Sequence, residues 1–379
     1  MTTNNFYRNA VALILMLFVG TIAVLHPALP DRGFSESENR VLEPLPPFSL
    51  SSLLSGKFAS RYEKYVADQF AFRDVWIGLK TDADRAMGRK DSNGVYLGED
   101  GYLIAGFAPP AEGDAEEKAA AIHSFDRATP GVRKYMMLAP TAAAVYRDKL
   151  PAYAPAGDEL AYMERIRKLL SANIRFVDVY PALYAERERP VYYKTDHHWT
   201  TQGAYTAYRE LCKQMGVIPK DEEDFRIRQV TNAFYGSLYS KSGFRHMQPD
   251  GISLYLPKKE TGYTVEYADE GQTTHSLYAM EKLEGKDKYQ VFLGGNHPLI
   301  RITASRPTGG KLLVVKDSYA NSLIPFLAGH FSEIYVVDLR YFDGSLTKLV
   351  EQHDIRDVLM VYNIHTFFED SSIKYLKEE

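Results

Sequence analysis

The hydrophobic and polar positions follow two alternating patterns over most of the chain. Short, mostly apolar runs, typical of strands buried on both faces, alternate with longer stretches whose apolar residues lie three or four positions apart. The runs predict strands at residues 134–138, 174–179, 311–315, 333–338 and 357–362. The stretches predict helices at residues 115–128, 160–171 and 202–215, the last capped by Thr200 or Thr201. This alternation predicts an α/β fold with a mainly parallel sheet that helices cover on both faces.

Four other segments have patterns of their own. Residues 225–300 alternate apolar and polar positions and are rich in Gly, Thr and Tyr, which predicts a β-rich insertion. Residues 57–88 are predicted to be helical, and residues 94–105 are predicted to form a strand-like stretch with a Gly-containing turn. Residues 31–56 are rich in Pro, Ser and Glu, which predicts an extended linker. We therefore expect one main domain over residues 57–379.

The first 30 residues are a candidate membrane segment. Between Arg8 and Asp31 the sequence has no Asp, Glu, Lys or Arg, and residues 10–25 are mostly apolar. Since a bilayer takes roughly 20 apolar residues to span, a signal peptide and an uncleaved signal anchor both fit. The absence of a clean small-x-small cleavage site favours the anchor, and a buried core helix is a third alternative. Either of the first two interpretations places the rest of the chain outside the cytoplasm, at the cell surface or in the periplasm, anchored or secreted.

Composition narrows the classes of protein that fit this pattern. The chain has 379 residues, with 45 Lys and Arg against 49 Asp and Glu, and a net charge of −4. This balance of charges excludes general electrostatic binding to nucleic acid, because such binding needs a basic surface. The single cysteine, Cys212, excludes a disulfide framework and a Cys-rich zinc site.

Polar residues cluster in three short segments at the ends of predicted strands. TDHHWT occupies residues 195–200 at a predicted strand-to-helix junction, and KDSYANS occupies residues 316–322 directly after the strand at 311–315. YNIHT occupies residues 362–366 after the last predicted strand. Because sites in parallel sheets lie beyond the carboxyl ends of the strands, these segments together form a candidate site.

The residue types in these segments suit nucleophilic catalysis. Asp196 and His198 lie two positions apart, and a carboxylate beside an imidazole fixes its tautomer and raises its basicity. A serine such as Ser318 becomes a nucleophile only with a base, and a helix N-terminus beside it can stabilise an oxyanion. Asn363 is a candidate to donate its side-chain amide to that oxyanion. Each segment also has a purely structural interpretation, as a helix cap or a turn.

Taken together, the segments resemble the DHHW proteins, which are similar to the periplasmic alginate O-acetyltransferases of the SGNH-hydrolase superfamily. The resemblance runs from about residue 35 to the C-terminus. It rests on TDHHW and KDSYANS, in that order, with support from ENRVL at 38–42 and DQFAFRD at 68–74. It implies an SGNH-like three-layer α/β/α sandwich with a circularly permuted motif order. It also implies a triad in which Ser318 is the nucleophile, His198 the base and Asp196 the acid.

Two segments differ from the motifs of ordinary SGNH enzymes, so the resemblance does not assign the residues that form the oxyanion hole. The Ser segment reads KDSY where ordinary SGNH enzymes have GDSL, and the Asn segment reads YNIH where they have GxND. Gly295 and Asn296, within GGNHPL, are therefore further candidates for the oxyanion hole or an acceptor pocket, and Tyr319 is a candidate to line it. The resemblance implies an acetylated or acetyl-accepting polysaccharide as substrate and a membrane-bound O-acyltransferase as partner. No cofactor is expected.

Three functional hypotheses follow. The leading one is an O-acetyltransferase or O-acetylesterase of a cell-envelope polysaccharide that forms an acetyl-serine intermediate. The second is metal-dependent hydrolysis by Asp196, His197 and His198 with a remote histidine, His297 or His365, although no H-E-x-x-H motif occurs. The third is a catalytically silent glycan-binding or scaffold protein of an envelope assembly.

Overall fold

A computed structural model of the chain describes residues 2–35, 37–155, 157–259, 262–306 and 309–378. The chain divides into two compact units, one of residues 1–89 with 243–245, and the other of residues 90–242 with 246–379. The predicted boundaries at residues 30 and 56 both fall within the first unit and stay predictions.

The first unit is helical and contains the apolar N-terminal segment. Its helices are α1 (Thr2–Ala28), α2 (Leu50–Leu54), α3 (Lys57–Asp68) and α4 (Arg73–Ala86), and its strands are β1 (Phe34–Ser35) and β2 (Arg40–Val41). By length and composition, Phe6–His26 within α1 is long and apolar enough to cross a membrane, which fits the predicted signal or anchor. The helix predicted over residues 57–88 is interrupted after Asp68, where Phe72 adopts a left-handed φ of 57°.

Two segments that carried the resemblance meet in this unit. The Arg40 guanidinium donates to both carboxylate oxygens of Asp68, at 2.5 and 2.8 Å, and Arg73 pairs with Glu38. The Glu43 N–H also donates to Asp68, at 2.9 Å. Ion pairs thus join ENRVL to DQFAFRD, and they give Arg40, Asp68 and the Glu38–Arg73 pair a structural role.

The second unit contains most of the strands. They are β3 (Asp91–Ser92), β4 (Val95–Leu97), β5 (Leu103–Ala105), β6 (Arg133–Ala139), β7 (Ile174–Val177), β8 (Phe225–Phe234), β9 (Asp250–Pro257), β10 (Tyr263–Tyr267), β11 (Gln272–Thr274), β12 (Leu299–Ala304), β13 (Lys311–Lys316), β14 (Glu333–Val337) and β15 (Asp357–Asn363). The described residues form an eight-stranded sheet in the order β11-β10-β12-β14-β13-β15-β6-β7. The five strands from β14 to β7 are parallel, and β12, β10 and β11 add to them antiparallel.

Helices cover both faces of this sheet. They are α5 (Asp114–Ala128), α6 (Ala142–Val145), α7 (Glu159–Leu169), α8 (Tyr180–Ala185), α9 (Thr201–Met215), α10 (Ser237–Ser242), α11 (Ile324–Leu327), α12 (Leu346–Gln352) and α13 (Ile364–Glu369). Along β13, Leu312 and Val314 pack on one face in a core shared with α9, while Leu313 and Val315 pack on the other with α5, α7 and α12. The result is the predicted three-layer α/β/α sandwich.

The region of residues 225–300 differs from its prediction in two respects. Strands β8 and β9 form a separate two-stranded sheet, as expected of a β-rich insertion, but β10 and β11 extend the main sheet. The stretch at 289–295, expected to be extended, is a 3₁₀ turn (Lys288–Val291) followed by a loop. Leu293, Gly294 and Gly295 have φ of 57°, 75° and 110° in that loop, and this left-handed backbone is incompatible with a strand.

Candidate active site

The turn after β13 carries Ser318 and is fixed to the neighbouring strand by Asp317. The Asp317 carboxylate accepts from the N–H of Tyr319 at 2.9 Å and from the N–H of Asn363, at the end of β15, at 2.8 Å. Asp317 thereby caps the short 3₁₀ helix Ser318–Ser322 and joins the carboxyl ends of two parallel strands. Ser318 begins this helix and is partly exposed.

The TDHHWT segment reaches this turn through Trp199. The buried indole N–H of Trp199 donates to the carbonyl of Tyr319 at 2.9 Å and to the hydroxyl of Ser322 at 3.0 Å. On the other side, Thr200 caps α9 by accepting from Gly203 N–H at 3.2 Å, as the sequence predicted. The segment is therefore held at both the Ser318 turn and the start of a helix.

Asp196, His198 and Ser318 form a continuous hydrogen-bonded chain. The Nδ1 atom of His198 lies 2.5 Å from Asp196 Oδ1, and the Nε2 atom of His198 lies 2.8 Å from Ser318 Oγ. Asp196 and His198 are 4% and 5% exposed, so the carboxylate and imidazole interact with little screening by water. The structure thus brings together the three side chains for which the sequence predicted the roles of acid, base and nucleophile.

Asp196 is held in its ionised form. Burial would raise its pKa, but electrostatic interactions with His198 and His197, together with hydrogen bonds from His198 and the Ser237 N–H, hold the pKa well below its ordinary value. The Ser237 N–H donates to Asp196 Oδ2 at 2.8 Å. A Cβ at the preceding residue, Gly236, would lie 2.2 Å from the Asp196 Cβ, so only glycine leaves room for this close approach. An ionised Asp196 makes Nδ1 of His198 the protonated nitrogen and leaves Nε2 to accept a proton.

Tyr289 is a site residue that the sequence pattern did not reveal. Its ring stacks on the imidazole of His198, with ring centres 3.8 Å apart and planes at 9°. Its hydroxyl donates to the carbonyl of Ser318 at 3.2 Å and lies 3.0 Å from the hydroxyl of Ser322. Tyr289 therefore fixes both the plane of the His198 ring and the turn that carries Ser318. It lies in the stretch that alternation assigned to a strand, so no signal in the sequence pointed to it.

Asn363, predicted as an oxyanion donor, has structural partners for its side chain. Its amide nitrogen donates to the carbonyls of Ala139 and Pro140 at 3.1 and 3.4 Å, and its oxygen accepts from the N–H of His365 at 3.0 Å. The side chain therefore caps α13 and joins β15 to β6. Within the described residues, the backbone N–H of Ser318 has no hydrogen-bond partner, so it is free to donate to an oxyanion.

Tyr319, Gly295 and Asn296 lie around the Ser318 turn. The buried Tyr319 hydroxyl donates to the carbonyl of His197, and its ring borders a cavity of about 240 Å³ that His197 and Lys241 also line. The Gly295 carbonyl and the Asn296 side-chain oxygen both accept from the Asn321 amide, at 3.3 and 3.1 Å. Tyr319 thus lines a pocket, and the loop of Gly295 contacts the helix that Ser318 begins.

Among the residues that the structure describes, two groups of side chains have the composition of a metal site. Asp196, His197 and His198 form one, and Asp269, Glu270 and His297 form the other. In the first group, both ring nitrogens of His198 are already hydrogen-bonded, to Asp196 and to Ser318. Of the predicted remote histidines, His297 belongs to the second group, and His365 pairs with Glu369 at 3.0 Å. The hydrogen bonds of the first group suit proton transfer better than metal binding.

The fold and the arrangement at the strand ends define an SGNH-like α/β/α protein. The sequence model of the DHHW protein family matches residues 113–337, which is more than half of the chain. The chain therefore belongs to the DHHW family, as the TDHHW segment suggested.

Comparisons with individual proteins agree with this assignment. The "Probable alginate O-acetylase AlgJ" of Pseudomonas aeruginosa is 26% identical over 180 residues, which are 45% of this chain and 46% of that protein. The chain thus spans about half the length of the named relatives it matches. The crystal structure of a DHHW family protein from Eubacterium siraeum is 26% identical, with a TM-score of 0.67, and the match covers 76% of this chain and 96% of that one. PatB1 of Bacillus cereus, solved with a sulfonyl adduct, has the same fold at 20% identity and a TM-score of 0.63, over 75% of this chain and 98% of that one.

Proposed function

We propose that the protein is a polysaccharide O-acetyltransferase or O-acetylesterase of the cell envelope that works through an acetyl-serine intermediate. The observation that carries this proposal is the hydrogen-bonded chain from Asp196 through His198 to the hydroxyl of the partly exposed Ser318. A matched relative named as an alginate O-acetylase supports the choice of an acetyl group and a polysaccharide. The apolar helix α1 fits a location outside the cytoplasm.

The arrangement assigns each side chain a step. In the first half-reaction, Ser318 Oγ attacks the acetyl carbonyl of the donor while His198 Nε2 takes its proton. Asp196 stabilises the imidazolium, and the donor oxygen leaves with that proton. In the second half-reaction, an acceptor hydroxyl gives its proton to His198 and attacks the acetyl-serine, and Ser318 Oγ leaves with that proton, which restores the free serine and the neutral imidazole. A sugar hydroxyl as acceptor makes the protein a transferase, and water makes it an esterase.

The proposal includes partners outside this chain. The acceptor or donor is a polysaccharide with acetylated or free hydroxyls, and the cavity bordered by Tyr319 and His197, the sequence neighbours of Ser318 and His198, is a candidate place for it. A membrane-bound O-acyltransferase would supply the acetyl group on the outer side of the membrane. These steps need no cofactor.

Hydrolysis of an activated acetyl ester by the full-length protein in detergent tests the proposal. We expect Ser318→Ala to abolish turnover, because it removes the nucleophile. Ser345→Ala is the matched control, because Ser345 also lies between a parallel strand and a helix and caps the N-terminus of α12. This control should keep turnover and change stability by about 1 kcal/mol. Turnover that survives Ser318→Ala would contradict the proposal, and a folded wild type without turnover but with glycan binding would favour the scaffold hypothesis.

A further inference from the structure

Helix α4, in the first unit, exposes its apolar side. Its apolar residues recur at spacings of three and four and form a stripe about 120° wide. We name this set the α4 stripe: Val75, Trp76, Leu79, Ala83, Ala86 and Met87. Trp76 is half-buried. Val75, Leu79 and Met87 are 52%, 56% and 73% exposed, and Phe72, directly before the helix, adds another exposed ring.

The opposite side of α4 packs against the rest of the first unit. Gly78 and Thr81 are the buried residues of the helix. A Cβ at Gly78 would overlap the side chain of Arg245, and a Cβ at Gly243 would lie 3.0 Å from Ile77. A helix of a water-soluble domain normally buries its apolar stripe and exposes its polar side. In α4 this order is reversed, because the side with Gly78 and Thr81 packs and the apolar stripe faces outward.

The α4 stripe touches the apolar segment of α1. The rings of Trp76 and Phe18 meet edge to face, with centres 5.4 Å apart and planes at 88°. Phe18 lies within Phe6–His26, the segment that is long and apolar enough to cross a membrane. It precedes His26 by eight residues, which at the rise of an α-helix is about 12 Å from the end of the segment. A bilayer around this part of α1 would therefore meet the stripe as well.

The α4 stripe has the features of a helix that lies in the plane of a membrane surface. Such a helix buries its apolar side about 5–10 Å into the boundary between headgroups and acyl chains. Tryptophan, represented here by Trp76, is enriched in that boundary. The charged residues of α4 are three aspartates and three Lys or Arg, so the helix has no net charge. Attraction to a membrane would therefore come from apolar burial and not from anionic headgroups.

We propose that the α4 stripe is a membrane-binding surface, which lies among the lipids at the face of the bilayer that α1 enters. The occupant of the stripe is the bilayer itself, because the apolar segment of α1 is the neighbour that Trp76 touches. The protein then contacts the membrane at two places, α1 and α4. The second contact would hold the first unit at the membrane surface even where α1 is removed as a signal peptide. This inference goes beyond the proposed function and does not depend on Ser318.

Tryptophan fluorescence of the full-length protein in phosphatidylcholine liposomes tests this inference. The chain has two tryptophans, and Trp199 is fully buried, so Trp76 reports on contact with lipid. Lipids with brominated acyl chains quench tryptophan emission only at short range. We expect stronger quenching by bromine near the headgroup than by bromine near the chain end, because the stripe would lie about 5–10 Å deep. Trp76→Phe should lose this quenching.

A pair of α4 variants separates the stripe from α1 as the cause of the quenching. Leu79→Glu and Arg85→Glu each add one carboxylate at an exposed position of the same helix, but only Leu79 belongs to the stripe. We expect Leu79→Glu to lose most of the quenching of Trp76 and Arg85→Glu to keep it. Quenching by zwitterionic lipid should also persist in high salt, because α4 has no net charge. Both variants should keep acetyl-ester hydrolysis in detergent.

Four outcomes would overturn the membrane-binding surface. They are an absence of quenching in the folded, reconstituted wild type, quenching that persists in Trp76→Phe, and equal quenching in Leu79→Glu and Arg85→Glu. The fourth is a disulfide between two copies of Ala83→Cys without quenching, which would make a second copy of the chain the cover of the stripe. In each case, hydrolysis that still depends on Ser318 would leave the proposed function standing.

Discussion

At the scale of single residues, the site depends on a local pair and a distant partner. Asp196 and His198 are two positions apart, and the carboxylate accepts from both the backbone N–H of His198, at 3.0 Å, and its ring. Such a pair is visible in the sequence. Ser318 lies 120 positions after His198, and tertiary contacts such as the Trp199 hydrogen bonds to its turn place it 2.8 Å from the imidazole.

Replacing Asp196 by Asn tests the orientation of the base. Asparagine has no charge to stabilise an imidazolium, and its NH₂ group favours the tautomer in which Nε2 carries the proton. We expect kcat for acetyl-ester hydrolysis to fall about 10⁴-fold with KM nearly unchanged. Asp354→Asn, at an exposed position, is the control. A loss below about tenfold would show that Asp196 is structural.

At the scale of elements, buried parallel strands were predictable and irregular segments were not. The strands at β6, β7, β13, β14 and β15 were found because their apolar runs are set by burial on both faces. The loop after Tyr289 has apolar residues as well, but its left-handed backbone is held by tertiary contacts that leave no periodicity. The capping role of Asn363 was not singled out, because an asparagine at a strand end can cap a helix as readily as bind a substrate.

The turn between β8 and α10 is predicted to support catalysis through Gly236. In Gly236→Ala, the new methyl group would lie 2.2 Å from Asp196 Cβ, so the turn or the carboxylate must shift. We expect a loss of about 1–3 kcal/mol of stability and a fall in kcat of about 10²-fold. In Gly310→Ala the methyl group meets no atom within 4 Å, so thermal unfolding and kcat should both match the wild type. Equal behaviour of the two variants would contradict this account of the turn.

At the scale of the whole molecule, the sandwich buries ionisable groups that couple its stability to pH. Glu159, 2% exposed at the start of α7, accepts from the N–H and hydroxyl of Thr141 at 2.8 and 2.7 Å. Burial raises the pKa of Glu159 to about 7, although these hydrogen bonds oppose the shift. The folded state therefore binds a proton more tightly than the unfolded state.

The direction in which folding stability changes with pH gives a prediction for α7. Because the folded pKa is raised, the stabilising contribution is complete below the unfolded pKa and decreases as pH rises to about 7, by about 1–3 kcal/mol in total. Hydrogen exchange of α7 peptides should thus show less protection at pH 8 than at pH 5, after correction for the intrinsic exchange rate. Glu159→Gln should reduce this difference, whereas Glu164→Gln, on the exposed side of α7, should not. An undiminished difference in Glu159→Gln would contradict the assignment.

The central claim is that Ser318 carries the acetyl group, and peptide mass spectrometry tests it most directly. The full-length protein in detergent is incubated briefly with an activated acetyl ester, quenched in acid and digested. We predict one acetyl group on the peptide with Ser318, strongly reduced in His198→Ala and retained in His353→Ala. A folded protein that hydrolyses the ester without this adduct, or that is acetylated equally without His198, would contradict the account.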